Sequence, residues 1–156
     1  MISPELLRRY PFFGFLEDDQ LKEVAMKAEE QAFEKGETIF QEGQPAGALY
    51  FLLEGDIDLY YTVEESFHSE LKKEFPVGEI NPGEPFGISA CIEPYVLTST
   101  ARTTKACRVL KIEASILRQL MEADTQFAYT LMRRVAKAAL ERLHATRIQL
   151  AACWAK

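Results

Sequence analysis

The chain is poor in the residues that build metal and redox centres. It holds two histidines and three cysteines among 156 residues. Cys91, Cys107 and Cys153 are widely spaced and form no Cys-x-x-Cys pair. That predicts buried or incidental thiols in a reducing compartment, not a disulfide framework. His68 and His144 are too few for a metal site between β-strands, which needs two or three histidines with a carboxylate. His68 is expected on a solvated loop. Basic charge is also short, with 18 Lys and Arg against 24 Asp and Glu and a net charge of −6. A free-standing nucleic-acid binder draws its affinity from basic charge meeting phosphate, so no nucleic-acid partner is expected. No apolar run approaches the roughly 20 residues of a membrane span. Arg8-Arg9 follows the first apolar pair, and no signal-peptide core comes after it. The expectation is a cytoplasmic protein without a membrane partner. No nucleophile–base pair, carboxylate pair or metal cluster emerges, so an enzyme is not expected.

What is present is ordinary globular material. Apolar residues make up 47% and charged residues 27%, enough for one domain with a sizeable core. The stretch 31–59 organises the rest. Gly36, Gly43, Gly47 and Gly55 punctuate it, with Ile39, Phe40, Tyr50 and Phe51 among the β-formers between them. Glycine enters positive φ at little steric cost, so this spacing predicts short strands reversing at tight turns. Residues 56–60 alternate polar and apolar, which reads as a strand with one buried face.

Ser3-Pro4-Glu5 opens a short helix: Ser caps it, Pro suits the first helical position, and Glu favours the positive end. Pro11 ends it. Phe12, Phe13, Phe15 and Leu16 form an apolar knot. Asp18 or Asp19 is expected to cap a second helix to about Ala28, with Leu21, Val24 and Ala25 on one face. Residues 62–69 read as an exposed hairpin loop, 71–75 and 78–80 as strands, and 81–85 as a turn. Residues 86–92 look like a short helix entered through a glycine. Residues 98–103 and 107–112 read as closing strands and 114–122 as a helix. Asp124 can cap a final helix from about 125 to 150.

The run Gly36, Glu37, Ile39, Phe40, Glu42, Gly43, then Tyr50, Gly55, Ile57 and Leu59, resembles the core of the cyclic-nucleotide-binding domain family. Phe12, Phe13, Leu16 and Leu21 resemble its N-terminal helical bundle. The resemblance covers about residues 4–150. It implies a mainly β fold with flanking helices (α+β): a jelly-roll or double-stranded β-helix, with N-terminal helices and a long C-terminal helix. The expected organisation is one domain over 1–156, with helices in 3–29, a β-roll in 30–113 and helices in 114–150.

The resemblance also implies where a ligand would sit. In the family a short helix offers backbone N–H groups to a cyclic phosphate. An arginine neutralises that phosphate and a glutamate accepts from the ribose hydroxyl. Here Phe86 and Gly87 match, but Ile88 stands in the glutamate position. Ser89 and Ala90 continue the short helix. Counting back from the strand at 106–112 puts the arginine position on Leu97, followed by Thr98 and Ser99. A hydrogen bond to a charged group contributes roughly 1.5–3 kcal/mol. Losing the arginine alone should therefore weaken binding about ten- to a hundredfold. Strand alternation puts Arg102 opposite Leu97. Arg133-Arg134 lies where relatives place a basic pair near the ligand, and Ala138 falls on a base-contacting position.

The last helix carries two apolar stripes. Phe127, Leu131, Val135 and Ala138 suit packing on the β-roll. Met132, Ala136, Ala139, Leu143 and Leu150 recur at coiled-coil spacing, with Thr146 filling one gap. A helix apolar on two sides must bury both, so the second stripe suggests a homodimer. Residues 131–143 resemble the dimerisation helix of regulators of the catabolite-activator type. In those regulators a helix-turn-helix domain follows, whereas this sequence ends at Lys156, and a transcription factor is not expected unless it is a fragment.

The expectation is a stand-alone regulatory or sensory domain, with no cofactor assigned. Its charged phosphate and ribose contacts are replaced by aliphatic residues. It would sense another ligand, or act through dimer or protein-partner contacts. The alternative is a cAMP or cGMP sensor that uses backbone amides with Thr98 and Ser99.

Overall fold

The structure is a computed structural model. It describes residues 1–65 and 68–155, and the side chains of 65–71 lie outside the description.

Two short helices come first, α1 (Pro4–Arg8) and α2 (Asp18–Lys27), separated by a 3₁₀ turn over Pro11–Phe13. Ser3 Oγ accepts from the Glu5 amide at 3.3 Å, which caps α1 as expected. The cap of α2 is Glu17 rather than either aspartate, and the Glu17 amide donates to Gln20 Oε1 at 3.0 Å. Asp18 and Asp19 fall in the first turn instead, where a carboxylate still meets the positive helix end.

Eight strands follow: β1 (Ala28–Phe33), β2 (Thr38–Phe40), β3 (Ala48–Glu54), β4 (Ile57–Glu65), β5 (His68–Ile80), β6 (Pro85–Phe86), β7 (Thr100–Thr103) and β8 (Cys107–Glu113). They form two antiparallel four-stranded sheets, in the orders β1-β8-β3-β6 and β2-β7-β4-β5. The chain closes with α3 (Ala114–Ala123) and α4 (Thr125–Trp154). This is the expected jelly roll with flanking helices.

β3 shows why the roll closes. Leu49, Phe51 and Leu53 face the helices, while Leu52 and Tyr50 face the interior between the sheets. Successive side chains of a strand point to opposite faces, so a strand buried on both must be apolar throughout. β8 divides likewise: Leu110 and Ile112 join the helical core, and Cys107 and Val109 the inter-sheet core. The N-terminal knot docks on Phe51, whose ring lies 4.9 Å from Tyr10 and 4.9 Å from Phe13.

The glycines act at the turns. Gly36, Gly43 and Gly55 have φ of +85°, +87° and +103°; Gly47 does not have positive φ. Glu37 Oε2 accepts from the Glu34 amide at 2.9 Å, so this motif glutamate closes its own turn.

Two strand expectations are corrected. Residues 62–65 continue β4, and β5 begins at His68, so the proposed loop is mostly hairpin. Residues 66 and 67 and the His68 side chain lie outside the described residues. The two strands expected at 71–75 and 78–80 are one, with a register shift opposite Leu59 and Tyr60 in place of a break. Asp124 Oδ1 accepts from the Gln126 and Phe127 amides and caps α4 as expected, but α4 runs on to Trp154. Among the described residues no helix is long and apolar enough to cross a membrane.

Candidate functional site

A cleft of about 700 Å³ opens between the late part of the β-roll and α4. Gly87 forms its inner wall. Its φ of +68° is left-handed, and a Cβ there would come within 3.1 Å of the Tyr50 ring and 3.2 Å of the Ala48 carbonyl. Only glycine lets the chain turn so close to β3. Behind it the Phe86 and Tyr50 rings stack at 5.2 Å, with Phe40 6.0 Å from Phe86. A 3₁₀ turn over Ile88–Cys91 leaves from Gly87.

Of the eight positions singled out in the sequence, six line the cleft: Gly87, Ile88, Ser89, Leu97, Thr98 and Ser99. Phe86 and Ala90 do not; both are fully buried in the inter-sheet core behind it. Ile88 packs partly against the helical core. Leu97 is 6% exposed, and its backbone is held by Gly43 and Gln44, with N···O distances of 2.8 and 2.9 Å. An aliphatic side chain at this position extends the inter-sheet core, where a guanidinium would have needed a partner.

The basic residues considered from the sequence are engaged elsewhere. Arg102 binds Glu74. Arg133 lies over the Tyr129 ring, and Arg134 over Phe15, with an arm on the Pro11 carbonyl. The Arg133-Arg134 pair therefore does not reach the cleft.

The basic residue in the cleft is Arg142, which sequence reasoning missed. It stands seven residues after Val135, two turns along the stripe that packs on the β-roll. A cation continuing an apolar stripe was the available signal. Its Nη2 donates to the Pro85 carbonyl. Its Nε is buried without a hydrogen-bond partner among the described residues. Burial lowers its pKa, while the nearby Glu84 and Glu141 charges pull the other way. Four carboxylates border the same space: Asp58, Glu79, Glu84 and Glu141.

The stripe assigned to a dimer divides. Met132 packs partly against the helical core, and Ala139 lines the cleft. Ala136, Leu143 and Leu150 are exposed, as are Leu140 and Trp154.

The fold is an antiparallel jelly roll whose late turn and C-terminal helix border one cleft. The chain belongs to the family described as cyclic nucleotide-binding domain, whose model matches residues 30–124. It is 43% identical to a protein named provisionally for cyclic nucleotide binding, from Geobacter metallireducens GS-15. That crystal structure superposes with a TM-score of 0.80, over 92% of this chain and 100% of the other. The CRP-like cAMP-activated global transcriptional regulator of Mycobacterium tuberculosis is 24% identical over 85% of this chain and 57% of its own length. The c-di-GMP responsive global regulator CLP of Xanthomonas campestris shares the fold, at 20% identity and a TM-score of 0.69 over 86% of this chain and 63% of that one. The chain spans 29% to 57% of the length of the curated relatives it matches. Two of those curated relatives are transcriptional regulators and the third is named as a potassium channel.

Proposed function

We propose that the chain is a regulatory, non-enzymatic sensor acting as one unit over residues 1–156. Its cleft takes a small ligand without the family's usual arginine and glutamate, and α4 carries the signal to a second copy or a partner protein. The observation that supports this is the cleft's dual lining. Gly87, Ile88, Ser89, Leu97, Thr98 and Ser99 and the α4 residues Ala139, Arg142, Thr146 and Gln149 border the same space. A ligand there touches the roll and the helix together, so binding biases where the helix sits. The presence of such a cleft favours sensing over a pure scaffold.

A second reading, cAMP or cGMP held by main-chain amides and hydroxyls, is favoured by Thr98 and Ser99, which both line the cleft. Titration calorimetry with cAMP, cGMP and a cyclic dinucleotide tests both readings. Under the first, cAMP and cGMP bind more weakly than about 10 μM, a level corresponding to roughly −7 kcal/mol. Tighter binding that drops about three- to tenfold in Thr98→Ala or Ser99→Ala, the worth of one hydrogen bond, establishes the second. No heat from any of the three defeats the second reading, and the first then stands with a ligand of another class or with contacts made by the surface of α4.

A further inference from the structure

We propose that Arg142 is the anion-binding residue of the cleft, supplied by α4 in place of the arginine absent at Leu97, and that it selects ligands bearing a single negative charge. This rests on the ligand-sensing reading above and names the chemistry of that site.

The argument begins with the cost of the side chain's position. A guanidinium carries five N–H donors in a fixed fork and stays charged. Here one arm meets a neutral carbonyl, Pro85 O, and the Nε is buried without a partner. No carboxylate lies within ion-pair distance of Arg142 among the described residues. No aromatic ring faces it there either. Arg118 is the instructive contrast. Its Nε is also unpartnered, but its guanidinium lies 3.9 Å over the Tyr95 ring and reaches Ala90 O. The π face compensates that cation, whereas Arg142 has only the charges of Glu84 and Glu141 beyond ion-pair distance and no direct partner for its charge among the described residues. A buried, unpaired charge is destabilising, and such groups concentrate where a ligand completes them.

The surroundings define what completes it. Ser89, Thr98 and Ser99 bring hydroxyls to the same space, and Gln149 an amide. These suit the oxygens of a phosphodiester or carboxylate beside the guanidinium, whose planar fork can hold two oxygens at once. Asp58, Glu79, Glu84 and Glu141 set a limit on the ligand's charge. Four carboxylates against one guanidinium repel a dianion and favour hydroxyl or amino donors on the rest of the ligand. The occupant this describes is a monoanion with a polar, donor-bearing body.

The test titrates the wild-type chain, Arg142→Gln and Arg142→Lys with three probes of one framework: neutral adenosine, singly charged cAMP and doubly charged 5′-AMP. Unfolding midpoints are recorded alongside. The expected result is that the wild type prefers cAMP to both others. Arg142→Gln should lose about tenfold or more of the cAMP affinity while adenosine binding stays the same. Arg142→Lys, which keeps the charge without the fork, should fall between, and it decides the matter if the Gln variant does not fold. Unchanged cAMP affinity in the folded variants, or a wild type that prefers 5′-AMP, overturns the assignment while leaving the sensing reading standing. If no probe binds the wild type at about 10 mM, equivalent to less than roughly 3 kcal/mol, the expected preference for cAMP is absent and this assignment falls, while the sensing reading is judged by the titrations above.

Discussion

Arg102 on β7 reaches across the Tyr60 ring of β4 to hold Glu74 on β5, with Nη1···Oε2 at 2.8 Å and Nη2···Oε1 at 3.2 Å. The pair spans three strands of the second sheet and commits the arginine that follows the cassette in sequence to a structural task.

Arg102→Ala should therefore leave nucleotide affinity unchanged and lower stability slightly. The pair is partly exposed, so its worth is at most about 1 kcal/mol. The hydrogen bond from Arg102 holds the Glu74 carboxyl below its usual pKa. A depressed folded-state pKa adds stability above the unfolded pKa, and that stability is lost as pH falls through the folded one. The gap in unfolding midpoint between wild type and variant should narrow from about pH 7 to about pH 3. A widening gap would contradict the ion pair.

Two glycine substitutions should separate backbone strain from steric overlap. At Gly43, φ is +87° and nothing lies within 4 Å of a built Cβ. Gly43→Ala then costs only the left-handed penalty, roughly 1–2 kcal/mol. At Gly55, φ is +103° and the Cβ would stand 2.5 Å from Ala106 O and 2.6 Å from Cys107 Sγ. Gly55→Ala adds a clash with backbone and should lower the unfolding midpoint further, by about 2–4 °C for each additional kcal/mol. Thermal melts showing equal losses would refute the close approach.

The thiols should differ in reactivity. Cys153 is exposed, while Cys91 and Cys107 are buried. Burial pushes the Cys91 thiol up to about 11. Cys107 is raised by burial too, and its Sγ donates to the Asp56 carbonyl at 3.3 Å. Iodoacetamide at about pH 8 should label Cys153 alone in the folded chain and all three thiols in denaturant. The unfolded thiol deprotonates first, so the stability due to Cys91 is full below its ordinary value of 9.0 and is lost as pH rises toward 11. Rapid labelling of Cys91 in the native state would show that the helical core is open there.

The exposed part of the α4 stripe should hold two copies together. Leu143 and Leu150 are 45% and 58% exposed, and Leu140 continues the same face. Sedimentation at tens of micromolar should find a dimer, at about −6 kcal/mol or better. The double variant Leu143→Glu and Leu150→Glu should be monomeric. A monomeric wild type would remove the dimer.

Much of this was legible in the chain itself. The glycine spacing predicted the turns of the roll, because positive φ is a local requirement met by few other residues. Asp124 read as a helix cap, and the stripe Phe127, Leu131, Val135 and Ala138 read as a buried face; all four are buried. Of the eight candidate residues named from the resemblance and its register, six line the cleft. Phe86 and Ala90 lie in the core behind it, because a side chain one position away from a cleft residue can point inward instead. The hairpin at 62–65 was missed because polar, charged strand residues look like loop when their pairing partner lies in a different segment.

The sequence by itself determined the turns, caps and strand periods, the family resemblance that implied the roll, and the absence of a charge at position 97. Period, capping and turn chemistry act over a few residues, and those are written directly in the order of the chain. Only the tertiary structure decided what faces the cleft. Arg142 lies 45 residues from Leu97 in sequence, yet both line the same space. Whether a cation on a helix meets solvent, a carboxylate or an open cleft depends on how α4 lies across the roll. That is set by packing among α3, the 3₁₀ turn and β5, not by any local pattern around position 142.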